Sequence, residues 1–344
     1  MAVSAPERST RLLAAHAPGA VEEAARLLAA GGLVAFPTET VYGLGADAAN
    51  PDAVAALYAA KGRPAFNPLI AHTADAAAAR RLGAFNADAA RLAERFWPGP
   101  LTLIVPFTGG EGVCDLARAG LDTVGLRVPS HPDARALIAA FGGAVVAPSA
   151  NRSGHVSPTE AGHVMDDLAG RIHAVLDGGP TPVGVESTIV DCTGADPVLL
   201  RPGGLAREAI EAALGRPLRL PMSESDAAPL SPGRLASHYA PRAALRLDVD
   251  AVEPGEALVT FAGARPPGIE AAATVLDLSP TGSLTEAAAR LYGALRGLDA
   301  SGVSAIAIVP LPRDGLGEAI ADRLARAAAP VPLIPRCRND QPDD

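Results

Sequence analysis

The segment DAVAALYAAKGRPAFNPLIAH, residues 52–72, contains one complete step of an α/β fold. Its first half has apolar residues at helical spacing, and residues 68–72 are typical of a short buried strand. The loop between them holds the chain's only lysine, Lys61, followed by Arg63 and Asn67. A cation that complements the dipole at a helix end is one interpretation, but arginine, used everywhere else in this chain, would serve that purpose equally well. The retained lysine therefore indicates a site that needs a compact point charge, such as a polyphosphate site.

Predicted helices and strands alternate along the first part of the chain. The apolar spacing predicts helices at residues 18–30, 52–63 and 134–141, and strands at residues 33–36, 68–72, 101–106, 123–129, 143–149, 172–179 and 187–194. Residues 37–45, PTETVYGLG, are predicted to form a loop at the exit of the first of these strands. Open α/β folds bind ligands in loops at the carboxyl ends of their strands, so such loops are the candidate sites.

Both periodicities are lost at residues 216–243, where the chain is rich in Pro, Ser and charge and is predicted to be a linker. Beyond it, strands are predicted at residues 256–261, 274–278 and 304–312, and helices at residues 284–302 and 315–329. This alternation predicts a small α/β domain with a parallel sheet. The predicted organisation is a first domain at residues 12–215, a linker at 216–243 and a second domain at 244–340.

Bulk composition argues against several classes of protein. A net charge of −9 over 344 residues disfavours a protein whose main role is to hold nucleic acid. Cys114, Cys192 and Cys337 are far apart and odd in number, which favours a reducing compartment over a disulfide framework. The N-terminal residues lack a signal-peptide pattern, and no apolar run of about 20 residues occurs. We expect a cytoplasmic protein with no membrane segment and, without paired C-x-x-C or H-E-x-x-H motifs, no structural metal bound by the protein.

Polar residues are concentrated near the ends of the predicted strands, and each group has a structural alternative. Thr40 follows the first strand, where hydroxyls that stabilise a tight turn are equally compatible. Arg127 lies in an otherwise apolar strand, where it either reaches solvent at a sheet edge or faces an anion in a cleft; we favour the anion. Residues 147–159 carry more hydroxyls than a turn needs, but without the G-x-S-x-G pattern of a serine nucleophile. Residues 43–48 match the dinucleotide pattern only weakly, because a polar segment separates them from the strand.

Taken together, these loops resemble a known family. The motifs are PTETVYGLG (37–45), KGRPAFNPLI (61–70), GLRVPSHP (125–132), APSANRSGHVSPT (147–159), GVESTIVD (184–191) and LLRPGG (199–204). In this order and spacing they resemble the YrdC-like threonylcarbamoyl-AMP synthases. SPGRLASHYAP (231–241) and the two C-terminal helices resemble the two-domain form of that family, so the resemblance covers about residues 12–340. Arg234 departs from the pattern, because relatives usually have Met at this linker position.

The resemblance implies both a fold and a reaction. The implied fold is a YrdC-like curved mixed sheet with a large concave cleft, followed by a smaller Rossmann-like α/β domain with a parallel sheet. The implied reaction makes L-threonylcarbamoyl-AMP and pyrophosphate from L-threonine, bicarbonate and ATP, with Mg²⁺ carried by the ATP. The product serves the threonylcarbamoyl-adenosine modification of tRNA next to the anticodon.

The resemblance also implies roles for individual residues. The catalytic set is Lys61, Arg63, Ser149 and Asn151. The ATP-binding set is Arg63, Asn67, Thr123, Asn151, Thr159, Arg201 and His238, of which His238 reaches back from the linker. The threonine-binding set is Thr40, His72, Arg127, Ser149 and Ser187.

Two other functions compete with this interpretation. The carbamoyltransferase of hydrogenase maturation contains a related domain, but it requires zinc-finger cysteines that this chain lacks. An RNA-binding module without turnover is disfavoured by the acidic net charge. The resemblance further implies a partner beyond the substrates, a downstream tRNA threonylcarbamoyl transferase, with tRNA contacted only indirectly.

Overall fold

The computed structural model of the chain describes residues 9–64, 67–221 and 239–329. Its α-helices are α1 (Ala20–Ala29), α2 (Pro51–Lys61), α3 (Ala76–Leu82), α4 (Ala87–Phe96), α5 (Asp115–Arg118), α6 (Pro132–Phe141), α7 (Ala161–Leu168), α8 (Arg207–Leu214), α9 (Leu284–Ala300) and α10 (Leu316–Ala328). Its strands are β1 (Arg11–Ala14), β2 (Val34–Phe36), β3 (Gly43–Asp47), β4 (Ile70–His72), β5 (Leu101–Pro106), β6 (Thr123–Arg127), β7 (Val145–Val146), β8 (Ala174–Asp177), β9 (Thr188–Asp191), β10 (Val198–Arg201), β11 (Ala244–Arg246), β12 (Ala257–Thr260), β13 (Thr274–Asp277) and β14 (Ala305–Ile308).

Local signals fix the ends of α2, the helix that carries Lys61. The Asn50 side chain accepts hydrogen bonds from the backbone N–H groups of Asp52 and Ala53, and Pro51 occupies the first turn, where a missing N–H costs nothing. Gly62 ends the helix in the left-handed conformation (φ 62°). The last helical residue is therefore Lys61, two residues before the predicted end of this helix at Arg63.

The first domain is built on a mixed sheet with the strand order β1-β8-β2-β3-β7-β4-β6-β5-β9-β10. Near its centre, β4 pairs in parallel with β6 and antiparallel with β7, and the register sets His72 beside Arg127 and Val145. Strand β5 pairs in parallel with β9, whose other neighbour, β10, is antiparallel. Predicted site residues on distant parts of the chain therefore lie on adjacent strands.

The predicted helices and strands are all present, but the chain forms several further elements. Residues 37–45 were predicted to be a loop, and this is wrong for Gly43–Gly45, which begin strand β3 between β2 and β7. The apolar periodicity did not predict strands β1, β10 and β11 or helices α3, α4, α5, α7 and α8. In the segment predicted as a linker, Arg219 forms an isolated parallel β-bridge with Val198 of β10.

The second domain has a parallel four-stranded sheet in the order β11-β14-β12-β13, which confirms the predicted class. Helices α9 and α10 pack against this sheet and each other. Its apolar core also includes Val41, Val156 and Val185 of the first domain, so the two domains share a packed interface.

Residues 9–64, 67–221 and 239–329 contain neither a membrane-spanning helix nor a metal-binding cluster. No helix there is long and apolar enough to cross a membrane. Within the same residues, no group of three or more His, Cys, Asp or Glu side chains could hold a metal ion. Cys192 is buried and Cys114 is partly buried, and both are free thiols.

Candidate active site

One pocket collects most of the predicted site residues. The pocket has a cavity volume of about 50 Å³ and is lined by Thr40, Val41, Arg63, Ile70, His72, Arg127, Ala147, Pro148, Ser149, Glu186, Ser187, Arg201 and Tyr239. Seven of the predicted residues are among them: Thr40, Arg63, His72, Arg127, Ser149, Ser187 and Arg201. They come from strand ends and adjoining loops, which is where ligand-binding residues are expected in an open α/β sheet.

Lys61 and Arg63 approach this pocket from the end of α2. The Lys61 ammonium donates to the backbone carbonyls of Ser149 and Asn151, so it ties the two predicted catalytic loops together. Burial, and then the charge of Arg63, lower the pKa of Lys61 well below its usual value. Burial lowers the pKa of Arg63 to about 10, so its guanidinium stays protonated at neutral pH.

Three buried polar atoms close to Lys61 and Arg63 have no hydrogen-bond partner among the described residues. They are Nε of Arg63, Oδ1 of Asn67 and Oδ1 of Asn151. Other atoms of these side chains are engaged: Asn151 Nδ2 donates to the carbonyls of Arg152 and His155, and Arg63 Nη2 donates to those of Asn67 and Pro68. Since leaving a buried polar group unpaired costs about 1–3 kcal/mol, these three atoms are suited to a polar ligand.

Arg127, another residue of the pocket lining, is held in place by a buried ion pair with Glu39. Its Nη2 donates to Glu39 Oε1 at 2.7 Å and to Thr40 Oγ1 at 3.0 Å, and its Nε donates to the Gly99 carbonyl at 3.3 Å. Burial would raise the pKa of Glu39, but the charge of Arg127 holds it below its usual value. Within the described residues, no group accepts a hydrogen bond from Arg127 Nη1, which leaves this nitrogen for an anion.

His72 lies beside Arg127 and is a neutral imidazole. Burial, and then the charge of Arg127, lower the pKa of His72 to about 3. Its Nδ1 lies 3.1 Å from the Ile70 carbonyl oxygen, which accepts a hydrogen bond from the Nδ1–H group. An imidazole this acidic when protonated is a poor proton acceptor at neutral pH, so His72 is not suited to act as a general base.

Ser187 and Arg201 also line the pocket and are hydrogen-bonded to each other. Arg201 donates from Nη2 and Nε to the Ser187 carbonyl at 2.9 and 3.2 Å, and Nη2 also lies 3.2 Å from Ser187 Oγ. Ser187 Oγ and Thr102 Oγ1 are hydrogen-bonded at 2.8 Å. The guanidinium is therefore oriented by the loop that precedes β9.

Four predicted nucleotide residues lie outside the pocket lining: Asn67, Asn151, Thr123 and Thr159. Asn67 and Asn151 are buried next to Arg63 and Lys61, as described above. Thr123 lines a small neighbouring pocket that shares Ile70 with the main one. Thr159 is buried and hydrogen-bonds to His163. His238 lies outside the described residues.

Sequence reasoning missed two residues that reach the pocket wall from the second domain. Tyr292 on α9 and Arg323 on α10 both donate to the carboxylate of Glu186. A signal for Arg323 exists in the sequence, because it falls on the buried stripe of α10 with Ala319, Ile320 and Ala327. The partner across the domain interface could not be read from that pattern.

Two family models match the chain. One, described as "Telomere recombination", matches residues 26–203. The other, described as "Threonylcarbamoyl-AMP synthase, C-terminal domain", matches residues 205–329. The matched regions correspond to the two domains of the fold.

Named relatives are similar along nearly the whole chain. The threonylcarbamoyl-AMP synthase of Bacillus subtilis (strain 168) is 44% identical over 322 residues, which covers 90% of this chain and 92% of that protein. The threonylcarbamoyl-AMP synthase of Pyrococcus abyssi (strain GE5 / Orsay) is 42% identical over 319 residues, which covers 89% and 93%. Among solved structures, P. abyssi Sua5 complexed with L-threonine matches with a TM-score of 0.81 at 39% identity and covers 90% of this chain and 94% of that one. On these grounds the chain belongs to the threonylcarbamoyl-AMP synthase family, in its two-domain form.

Proposed function

We propose that this protein synthesises L-threonylcarbamoyl-AMP and pyrophosphate from L-threonine, bicarbonate and ATP. The observation that carries the proposal is the convergence of three buried arginines, Arg63, Arg127 and Arg201, on one pocket. All three substrates are anions or carry a carboxylate, which suits such a pocket. Relatives similar over nearly the full length bear this activity in their names, and one related structure contains L-threonine.

The threonine half of the reaction is assigned to the Arg127 side. Arg127 binds the substrate carboxylate, and Glu39 fixes the orientation of the guanidinium. Thr40, His72, Ser149 and Ser187 surround the amino acid as hydrogen-bonding groups. The threonine amine adds to the carbon of bicarbonate, and loss of water leaves a carbamate. Neutral His72 orients the amino acid rather than accepting a proton from its amine.

The nucleotide half is assigned to the loops around Arg63 and Arg201. A carbamate oxygen attacks the α-phosphorus of ATP, and the bond to the β-phosphate oxygen breaks to release pyrophosphate. Arg63 and Arg201 offset the charge that develops on the leaving group. Asn67 and Asn151 supply the unpaired acceptors for donors of the nucleotide, and Thr123 and Thr159 are assigned to its more distant parts. Lys61 holds the Ser149–Asn151 loop in place.

Magnesium and the downstream partner complete the proposal. Mg²⁺ enters as part of the ATP substrate. We assign no protein carboxylate to it, because the two nearest the pocket, Glu39 and Glu186, are already paired with arginines. The product is a labile mixed anhydride, so we propose that it passes to a tRNA threonylcarbamoyl transferase. Direct tRNA binding is not required of a chain with a net charge of −9.

Pyrophosphate release by the purified full chain tests this function. We expect release only when ATP, threonine and bicarbonate are all present, together with threonylcarbamoyl-AMP detected by mass spectrometry. Omitting threonine or bicarbonate in turn provides the controls. Salt-sensitive RNA binding without any turnover would instead favour the RNA-binding module.

A further inference from the structure

The carboxylate of Glu186 is the meeting point of the two domains. Glu186 precedes Ser187, lines the pocket and is 6% exposed. From its own domain it accepts a hydrogen bond from Ser157 Oγ at 2.6 Å. From the second domain it accepts one from Tyr292 at 2.9 Å and one from Arg323 Nε at 2.6 Å. A wall of the pocket is therefore held by side chains that belong to α9 and α10.

Arg323 ties together both loops that form this wall. Its side chain is fully buried, and its Nη2 donates to the Pro202 carbonyl at 3.0 Å, one residue after Arg201. The same guanidinium therefore reaches the Glu186–Ser187 loop and the end of β10. Tyr292 adds a second link, because its ring stacks on Tyr239 of the pocket lining with ring centroids 5.7 Å apart.

The backbones of the two domains also touch at this point. Gly184 lies two residues before Glu186 and has a positive φ of 77°. A Cβ on Gly184 would lie 2.3 Å from the Ala288 carbonyl oxygen and 2.4 Å from Ala289 Cα, both on α9. The loop can therefore sit against the helix only with glycine at this position, which fixes the distance between Glu186 and Tyr292.

The contact between Glu186 and Arg323 also sets the charge state of this side of the pocket. Burial would raise the pKa of Glu186, but the charge of Arg323, and then that of Arg201, lower it to about 2. Glu186 is therefore ionised at neutral pH and needs a counter-charge. Arg323 supplies most of it through a buried ion pair, while Arg201 donates to the Ser187 carbonyl.

We propose that Arg323 and Tyr292 are positioning residues for the active site, and that the second domain thereby completes the pocket. They act through Glu186 on Ser187 and Arg201, the groups assigned above to threonine and to the triphosphate. The inference rests on the proposed function for the identity of those ligands. It gives the second domain a part in substrate binding rather than in tethering alone.

Tyr292→Phe is the decisive variant, because it removes one hydrogen bond to Glu186 and keeps the stacked ring. We expect the KM for threonine to rise about 10-fold, in line with the loss of a hydrogen bond to a charged group, with a smaller effect on kcat. Threonine affinity measured by calorimetry should fall by a similar factor. Arg323→Met should be more severe, and Arg323→Lys, which restores the charge without the fork, should recover part of the loss.

Arg207→Ala is the matched control. Arg207 forms an ion pair with Glu318 at 3.3 Å that also joins the two domains, but neither residue contacts Glu186 or the pocket. We expect this variant to keep the wild-type KM and threonine affinity. Melting temperatures of all variants show how much interface stability each has lost.

The results separate failure of this inference from failure of the proposed function. If wild type turns over and Tyr292→Phe has an unchanged KM and threonine affinity, the positioning role is refuted and the function stands. An equal affinity loss in Arg207→Ala would also refute it, because any weakening of the interface would then suffice. If wild type neither binds threonine nor releases pyrophosphate, the proposed function is wrong and this inference falls with it. Should Arg323→Met fail to fold, Tyr292→Phe alone decides.

Discussion

Lys61 is the residue that the sequence singles out, and the structure gives it a more specific task. Its ammonium is buried between the carbonyls of Ser149 and Asn151. We expect Lys61→Met to lower kcat/KM by about 10- to 150-fold, because a hydrogen bond to a charged group contributes about 1.5–3 kcal/mol. Lys61→Arg should also be impaired, since a planar fork does not fit a site shaped for a point charge. Steady-state pyrophosphate release measures both.

Arg152→Ala is the control for this prediction. Arg152 is an exposed cation on the same loop, directly after Asn151, whose carbonyl Lys61 binds. Its loss should change activity little, because surface substitutions usually stay within about 0.5 kcal/mol. Full activity of Lys61→Arg would mean that any cation suffices, and the point-charge interpretation would be withdrawn.

Arg127 provides a second test at the scale of one residue. Because Glu39, Thr40 and the Gly99 carbonyl hold Nη2 and Nε, the remaining nitrogen has a fixed direction. We expect Arg127→Ala to raise the KM for threonine by at least about 10-fold and the KM for ATP much less. Calorimetry with threonine should show the same loss, and an unchanged threonine affinity would contradict the assignment.

His72 makes a prediction about pH. Its pKa is about 3 in the folded protein, against about 6.5 in an unfolded chain, so the unfolded state binds more protons between these values. The stability that His72 contributes is therefore complete above pH 6.5 and decreases as the pH falls towards 3. Between pH 7 and pH 5, wild type should lose ~2 kcal/mol more unfolding free energy than His72→Gln. Denaturant unfolding at the two pH values measures this difference, and equal losses would show that His72 is not buried as a neutral group.

At the scale of elements, strand β3 shows where sequence reasoning reached its limit. Its glycines suppress any strand pattern, so Gly43–Gly45 looked like a loop. In the fold, a Cβ on Gly45 would lie 2.9 Å from the Phe36 ring and 3.0 Å from the Val34 carbonyl oxygen. Glycine is needed there because β2 comes close, and a glycine inside a strand often marks such an approach. Periodic elements could be predicted because their signal is local, whereas this contact depends on a neighbouring strand.

The residues of the candidate site likewise fall into those that a local motif could reveal and those that depend on a distant contact. Motifs located Arg63, Arg127, Ser149 and Ser187 because each is embedded in a short stretch of unusual residues. Nothing local to Arg323 shows that it pairs with a carboxylate 137 residues away along the chain. Contacts between domains need the assembled fold, and the sequence alone could only mark Arg323 as a charged residue on an apolar stripe.

Helix α9 offers a prediction in which the same substitution has opposite effects at two glycines. Gly297 is exposed inside α9, and a Cβ there would meet nothing within 4 Å. Gly297→Ala should stabilise the protein by about 0.5–1 kcal/mol, because alanine loses less backbone entropy in a helix. Gly184→Ala should destabilise it, since the added Cβ would collide with the backbone of α9. Thermal unfolding compares the two, and the same sign in both variants would contradict this account of the interface.

The whole molecule depends on how its two domains meet above the pocket. The shared apolar core, the Tyr239–Tyr292 stack and the Arg323–Glu186 pair all lie between the domains. The first domain supplies most of the pocket lining, and the second supplies Tyr292 and Arg323, which donate to Glu186. The proposed roles of these residues predict that substrate binding is coupled to the contact between the domains.

The end of the linker at Tyr239 takes part in that contact. The segment SPGRLASHYAP, residues 231–241, carries His238 and one of only four tyrosines, although a passive tether needs neither. His238 lies outside the described residues, but the next residue, Tyr239, is 1% exposed and lines the pocket. A cavity of about 50 Å³ is far smaller than the roughly 300–1,000 Å³ of pockets that enclose small-molecule ligands, so substrates require this wall to move.

We therefore expect the linker to act as a lid, with His238 contributing to the ATP site when the pocket is occupied. His238→Ala should lose most of the activity while the unfolding free energy stays within about 0.5 kcal/mol of wild type, as for an ordinary surface position. His16→Ala, at an exposed histidine far from the pocket lining, is the matched control and should behave as wild type. Proteolytic cleavage at Arg234 should slow when ATP and threonine are present together, and less with either alone, because closure over both substrates excludes water from the labile carbamate and anhydride. Cleavage that ignores the substrates, together with normal turnover by His238→Ala, would leave the linker as a tether only.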